Sequence, residues 1–284
     1  MLDYKKILNW PFEPVVQSYT EKDSMLYALG LGFGSNPCDA KELQFVYEKG
    51  LRTFPTMGVV LGHPGAWLSD PGSGVDMTKV LHGEQSLYNH KPLPVEGTIV
   101  ARTKVLNVID KGSDKGAVII TERKLTDEQS GELYSTQLST IMARGNGGFG
   151  GPETSIPKPH VVPERDADEV VNIQISPQAA LLYRLSGDYN PLHADPGLAK
   201  KVGFDAPILH GLASFGVAAR AVLQACDVDD ADRLTSIALR FSKPVYPGET
   251  MSTEVWQDGD EISFRSKVIE RDLVVLNNGK VELS

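Results

Sequence analysis

An acid, an amide and an imidazole lie within six residues of one another in the second half of the chain. They are Asp188, Asn190 and His193, in a segment that also contains Gly187 and Pro191. Because proline prevents a helix from continuing, we expect these side chains to lie on a turn. A carboxylate and an imidazole on one turn can converge on one small molecule, such as water, and move its protons. The alternative is an ordinary turn, since Asp and Asn are frequent beside Gly and Pro.

A second candidate is Gly211, which stands just before a helical pattern. Apolar residues recur every three or four positions from Leu212 to Cys226, which predicts an amphipathic helix that starts at or near Gly211. The first amide groups of a helix lack internal acceptors, and a glycine lets a ligand approach them closely. The Gly211 amide could therefore bind a developing oxyanion. The alternatives are a small residue packed against a sheet and, for the preceding His210, a local hydrogen bond.

Strand-like patterns occur in both halves of the chain. Alternating or continuous apolar residues predict strands over 98–108, 117–125 and 133–143, and again over 236–241, 250–256, 262–269 and 273–276, with a turn at 277–279. In the second half, Ser176 and Pro177 have the residue types of a helix start, and Asp195 with Pro196 predicts a second start. Each half is therefore expected to combine one long helix with several antiparallel strands that cover it.

The segment between the halves is rich in glycine and proline, which favours a linker. We predict an N-terminal half over 1–145, a linker over 146–164 and a C-terminal half over 165–284. Residues 26–30 resemble 182–186, and 87–94 resemble 239–246, which indicates a duplicated half; chance is the alternative, because the matches are short. At the first offset, Asp188 and His193 correspond to Gly32 and Pro37. The first half is then expected to lack catalysis and to shape the substrate pocket.

Composition excludes several classes of protein. The 284 residues are 41% apolar and 23% charged, which is typical of globular proteins and excludes a disordered chain. A net charge of −9 argues against a nucleic-acid binder. No apolar run is long enough to span a membrane, no signal peptide or C-terminal peroxisomal signal is recognisable, and the two cysteines favour a reducing compartment. We therefore expect a cytoplasmic protein without a membrane partner.

Three segments of the second half carry a resemblance to a known family. They are residues 183–196, around Asp188 and His193; residues 203–212, which end in His210-Gly211-Leu212; and residues 241–248. Residues 82–85, 91–94, 110–113 and 147–151 extend the similarity over nearly the whole chain. Together these segments resemble the MaoC-like (R)-specific enoyl-CoA hydratases, in the two-domain form of hydratase 2.

The resemblance implies an α+β double hot-dog fold, in which two helix-wrapped antiparallel sheets join side by side. It implies hydration of a trans-2-enoyl-CoA to an (R)-3-hydroxyacyl-CoA in fatty acid metabolism, with no cofactor and no metal, by a homodimer. The family's catalytic residues fall on Asp188, His193, Asn190 and Gly211. Its substrate contacts fall on His82, Gly83, Lys111 and Phe241.

Three other functions remain open on the same residues. Two are enzymes: a 3-hydroxyacyl dehydratase that acts on acyl carrier protein, and an acyl-CoA thioesterase that directs water at the thioester carbonyl. The third is an acyl-CoA binder without catalysis, which would not need Asp188, Asn190 and His193 together. Which of Asp188 and His193 acts as base is not decided by the residues, because such a pair can titrate as a unit.

Overall fold

The computed structural model describes residues 2–152, 158–259 and 261–284. Part of the predicted linker, residues 153–157, lies outside the described residues. Within the described part, ten strands form one antiparallel sheet. The strands are β1 (Val15–Tyr19), β2 (Val80–Asn89), β3 (Gly97–Asp110), β4 (Ala117–Asp127), β5 (Leu133–Ala143), β6 (Glu169–Gln174), β7 (Leu234–Phe241), β8 (Thr250–Asp258), β9 (Glu261–Val268) and β10 (Leu273–Leu283). The helices are α1 (Tyr4–Leu8), α2 (Glu21–Gly30), α3 (Ala40–Leu43), α4 (Ala179–Tyr183), α5 (Pro196–Lys201) and α6 (Gly211–Ala225).

The strand order repeats across the middle of the sheet. It runs β1-β3-β4-β5-β2 and continues as β7-β10-β9-β8-β6, so each half places its strands in the same internal order. The halves meet where β2 pairs antiparallel with β7, with Glu84 opposite Arg240 and Leu87 opposite Ile237. If the two halves were apart, each would expose one strand edge, and this pairing covers both edges. The repeated order supports a duplicated half, while the exact domain boundaries stay a prediction.

Helix α6 fills the inner face of the second half. It begins at Gly211 as predicted, and every residue from Ala213 to Leu223 is buried. A helix that is apolar all round is a core helix rather than a surface one, so the expected amphipathic helix is buried on nearly every side. Arg220 is the polar exception in this run of apolar and small residues, and its guanidinium pairs with Glu42.

The first half lacks the predicted long helix. Its longest described helix, α2, has ten residues and begins at a capping box of Thr20 and Asp23. The inner face of its sheet instead covers a five-residue 3-10 helix, Pro55–Val59, whose residues are all buried. Pro55 starts this turn, but Gly58 and the β-branched Val59 and Val60 are poor helix formers, so it ends after one and a half turns. The expectation of one long helix in each half is therefore wrong for the first half.

Three further expectations need correction. Residues 277–279 do not turn the chain, because β10 continues to Leu283 through a bulge with Asn278 at a φ of 56°. Helix α4 begins at Ala179 rather than at Pro177, since Ser176 accepts a hydrogen bond from the Gln178 amide in a turn that precedes the helix. Strands β1, β2 and β6 were not predicted, because their sequences lack a clear apolar alternation.

Candidate active site

His193 is held by a single helical turn that Pro191 begins. The carboxamide Oδ1 of Asn190 accepts a hydrogen bond of 3.0 Å from the Leu192 amide, which caps the 3-10 helix Pro191–His193. The imidazole Nδ1 of His193 lies 2.8 Å from the Ile208 carbonyl oxygen. A carbonyl can only accept, so Nδ1 carries the proton and Nε2 presents a lone pair. Asn190 thus positions the turn, and Ile208 selects the His193 tautomer.

Asp188 lies on the exposed side of the same loop. Its carboxylate accepts a 3.1 Å hydrogen bond from the Asn190 amide, which fixes the start of the turn. Its backbone carbonyl accepts a 3.1 Å hydrogen bond from Nε2 of His210. The side chain therefore stays accessible while its backbone is held from both sides.

His210 contacts both candidate catalytic residues. It is only 1% exposed, and its ring stacks on that of His193 with centroids 3.7 Å apart and planes at 25°. Burial lowers the pKa of His210 to about 4, with a further contribution from His193. Burial is also the main cause that lowers the pKa of His193. Both imidazoles are therefore neutral at neutral pH. The interpretation of His210 as a local hydrogen-bonding residue agrees with this geometry, and the stacking is what the sequence did not reveal.

Gly211 follows His210 at the first position of α6. Among the described residues, its amide has no backbone or side-chain acceptor. A Cβ atom on this residue would meet the Phe241 ring at 3.3 Å. The absence of a side chain therefore lets Phe241 approach the free amide closely, at the positive end of the helix.

His82 and Phe241 join the two halves beside Gly211. They lie on the central strands β2 and β7, with ring centroids 4.8 Å apart. Nε2 of His82 is buried and has no hydrogen-bond partner among the described residues, and burial lowers the pKa of His82 to about 4. Gly83 lies at a bulge of β2 against β5, where a Cβ would come within 3.0 Å of Met142. The bulge lets the strand bend between His82 and Glu84.

Lys111 is separate from these residues. It lies exposed at the turn between β3 and β4, where its amide bonds the Gly116 carbonyl. Nothing in the described part of the chain links its side chain to Asp188, His193 or Phe241. Its contact with substrate stays a prediction.

Asp188, His193 and His210 also have the residue types of metal ligands. One ligand atom from each lies within 4.8 Å of the others. However, Nδ1 of His193 and Nε2 of His210 already bond carbonyl oxygens, and neutral imidazoles with one free nitrogen each serve equally well to hold water. The geometry therefore gives no preference for a metal, and its absence stays a prediction.

Two residues near the site were not found from the sequence. His63 and Arg123, both from the first half, interact electrostatically with one another, and His63 also interacts with Asp188. His82 is affected by both. The position of His63 in the sequence matches no spacing typical of metal ligands, and Arg123 is one of many charged residues in the predicted strands. No signal in one sequence could have joined them, because they are 60 positions apart from each other and further from Asp188.

Comparison with known proteins places this arrangement in a class. Residues 160–278 match the family model of the MaoC-like domain, and residues 17–145 match that of the MFE-2 hydratase 2 N-terminal domain. The chain belongs to this two-domain MaoC-like hydratase 2 family, and the predicted resemblance is confirmed.

Two relatives and one solved structure illustrate the similarity. The chain is 42% identical over 275 residues to the mouse peroxisomal multifunctional enzyme type 2, covering 94% of the chain but only 36% of the mouse protein. It is 40% identical over 290 residues to enoyl-CoA hydratase ChsH3 of Mycobacterium tuberculosis, covering 99% and 98% of the two chains. The crystal structure of a MaoC-like dehydratase from Phytophthora capsici covers 100% of the chain and 98% of its own, with a TM-score of 0.88 at 34% identity.

The fold is also shared with more distant proteins. A Mycobacterium tuberculosis protein described as having a double hotdog fold matches with a TM-score of 0.58 at 14% identity, which shows the fold alone. The predicted α+β double hot-dog fold is confirmed. Among the described helices, none is long and apolar enough to cross a membrane.

Proposed function

We propose that this protein is an (R)-specific enoyl-CoA hydratase of fatty acid metabolism. It adds water to a trans-2-enoyl-CoA and gives an (R)-3-hydroxyacyl-CoA. The observation that carries the proposal is the clustering of Asp188 and the neutral His193 with His210, with one side-chain N or O atom of each within 4.8 Å of the others. His210 directly precedes Gly211, whose amide is free among the described residues. Relatives that match the chain along almost its full length and bear the name enoyl-CoA hydratase support it.

The water molecule is held between Asp188 and His193. Nε2 of His193 accepts a hydrogen bond from one water proton, because its Nδ1 is committed to Ile208. The Asp188 carboxylate accepts the other water proton and aligns the oxygen with Cβ. Two acceptors on one water raise its nucleophilicity and fix its orientation.

One residue can carry the proton from the water to Cα. The water oxygen forms a bond to Cβ, and its proton moves to Nε2 of His193. The same proton then passes to Cα as the enolate collapses, so the net change is the addition of one water. The lowered pKa of His193 suits this role, because the imidazole begins neutral and, once protonated, is a stronger acid than an ordinary imidazolium. His193 therefore acts as base and then as acid, while Asp188 accepts a hydrogen bond from the water and orients it.

The Gly211 amide stabilises the enolate oxygen. The thioester carbonyl gains negative charge as water adds to Cβ, and an amide at the N-terminus of the 15-residue α6 is oriented before the reaction begins. His82 and Phe241 pack next to this point and define the wall against which the thioester lies. The first half supplies the opposite side of the pocket, as expected for a half without its own acid and imidazole.

The test is a hydration assay with the purified wild-type protein. Loss of the enoyl-thioester absorbance is followed with crotonyl-CoA and trans-2-decenoyl-CoA, and the product alcohol is resolved by chiral chromatography. We expect the (R)-alcohol from the wild type and a loss of at least about 100-fold in kcat for Asp188→Asn. Release of free thiol would indicate a thioesterase, and turnover only on carrier-protein substrates would indicate the dehydratase. Either result would overturn the proposal.

Two further expectations belong to the proposal. A homodimer is expected from the family resemblance, and sedimentation analysis would check it. The cytoplasmic location predicted from the sequence stays a prediction, and some of the named relatives are peroxisomal.

A further inference from the structure

Arg123 is a buried cation without a paired anion. It lies on β4 and is 9% exposed, on the same inward face as Thr121 and Leu125. Its Nη2 donates to the Val59 carbonyl at 2.7 Å and to Oε1 of Gln137 at 2.6 Å. Burial lowers the pKa of Arg123 to about 10, so the side chain remains charged at neutral pH. In the part of the chain that the structure describes, no carboxylate pairs with it, and its Nη1 has no acceptor.

The hydrogen bonds that Arg123 makes to the fold do not require a positive charge. The 3-10 helix Pro55–Val59 leaves carbonyls at its end, and Gln137 already satisfies the Gly58 carbonyl through Nε2 at 2.6 Å. A second neutral amide would satisfy the Val59 carbonyl equally well. Burial of an ionised group without a counter-ion is costly, so a charge retained in this position points to an anion that arrives with a ligand.

His63 adds a neutral donor to the same region. Its Nδ1 accepts a hydrogen bond of 3.1 Å from the Gly65 amide, so the proton lies on Nε2, which has no partner among the described residues. The residue is exposed to solvent, and desolvation by the neighbouring protein is the main cause that lowers the pKa of His63 to about 4. The segment that leads to His63 lies next to both the buried cation and the loop of the reacting centre. The Val59 carbonyl accepts from Arg123, and a Cβ atom on Gly187, the neighbour of Asp188, would lie 3.9 Å from the Val60 carbonyl oxygen. The electrostatic interactions of His63 with Arg123 and Asp188 agree with this placement.

The inner face of the first-half sheet is polar around these residues. Gln85, Thr121 and Gln137 are all buried there, and Ser139 donates to Oε1 of Gln85 at 2.6 Å. The second half presents the apolar helix α6 at the corresponding place. An unsubstituted alkyl chain would gain little from a polar and cationic lining. A chain that carries oxygen atoms would form hydrogen bonds with this lining, and these would replace the bonds to water that the chain loses on binding.

We propose that Arg123 and His63 form a subsite for a carboxylate on the acyl chain, so that the substrate class is an enoyl-CoA whose chain carries a second, free carboxyl group. The Arg123 guanidinium binds this carboxylate through Nη1, and Nε2–H of His63 donates a second hydrogen bond to it. This inference rests on the proposed hydratase function and specifies its substrate.

The experiment compares two substrates of equal chain length. They are trans-2-decenoyl-CoA and its ω-carboxylated counterpart, assayed with wild type, Arg123→Gln, His63→Leu and His63→Gln. Gln at position 123 can still donate to the Val59 carbonyl. Arg102→Gln removes the same charge from an exposed position on the neighbouring β3 and serves as the matched control. Circular dichroism checks that each variant is folded.

The wild type is expected to prefer the carboxylated substrate by about 10-fold or more in kcat/KM, the scale of a hydrogen bond to a charged group. Arg123→Gln should remove this preference, His63→Leu should reduce it about 3-fold, and His63→Gln should restore part of it. Arg102→Gln should keep it. A wild-type preference for the alkyl substrate, or an equal loss on both substrates in folded Arg123→Gln, would overturn the subsite. If the wild type hydrates neither substrate, the proposed function itself fails.

Discussion

The two halves of the sheet have the same strand order but differ in what they enclose. The second half encloses the 15-residue α6, and the loop after α4 carries Asp188 and His193. The first half encloses the short 3-10 helix Pro55–Val59. The loop after α2 carries Gly32 and Pro37 at the corresponding positions, and neither can move a proton.

The first half fills that position with aromatic packing. The rings of Phe33, Phe45 and Phe54 lie 4.8 to 5.3 Å apart, and the guanidinium of Arg220 lies over Phe33 while it pairs with Glu42. The difference supports the prediction that a duplicated frame keeps its chemistry in one copy, the second half. The other copy is then free to change its interior, because its loop no longer has to orient reacting groups.

The largest expected effect is on catalysis by the second-half loop. His193→Ala should lower kcat by about 10³- to 10⁴-fold, because it removes the only group proposed to carry the proton. The matched change in the first half is Asp39→Asn at the half-buried N-cap of α3, in the loop after α2, which should leave kcat unchanged. Hydration assays at saturating substrate measure both. Comparable losses in the two variants would refute the assignment of chemistry to one half.

The second effect concerns the two buried arginines. Arg220→Gln should destabilise the protein by about 3–5 kcal/mol, because it leaves Glu42 buried without its partner. Arg123→Gln should cost about 1–2 kcal/mol, since no carboxylate loses a partner there. Urea unfolding of both variants gives the comparison. An equal loss would mean that the charge of Arg123 is part of the fold and not reserved for a ligand.

The third effect is the pH dependence of stability. The folded pKa of His82 and that of His210 are about 4, below the ordinary value of 6.5, so the unfolded chain binds these protons first as pH falls. The free energy of unfolding that these two histidines contribute is complete above pH 6.5 and is lost as the pH falls toward 4. His210→Gln should reduce the slope in this window by about 1.4 kcal/mol per pH unit. Urea midpoints between pH 7 and 4 test this, and unchanged slopes would contradict it.

The smallest effect concerns the caps of two single helical turns. Asn190→Ala and Asp76→Ala each remove a side chain that accepts from the second following amide, at Leu192 and at Thr78. Each should cost about 1 kcal/mol of stability. Only Asn190→Ala should also lower kcat, about 10-fold, because its turn holds His193. Thermal denaturation and kcat measured together separate the two readouts, and equal kcat values would assign Asn190 a purely structural role.

The sequence by itself determined the elements whose patterns are local. The alternation in 117–125 and 133–143 predicted β4 and β5, and the spacing after Gly211 predicted the start of α6. The short motif around Asp188 and His193 was recognisable because the loop that carries both residues is continuous in the chain. Strand β2 was missed, because a central strand with polar residues at His82 and Gln85 does not alternate clearly.

Only the tertiary structure decided what the halves contain and what faces the reacting groups. The replacement of a long helix by Pro55–Val59 depends on the space that the first-half sheet leaves, which no local pattern records. The stacking of His210 on His193 and the packing of His82 against Phe241 join residues that no local pattern connects. The pairing of β2 with β7 brings His82 to Phe241, because the closure of one sheet from two halves sets this distance, whereas sequence periodicity reports only which way a residue faces.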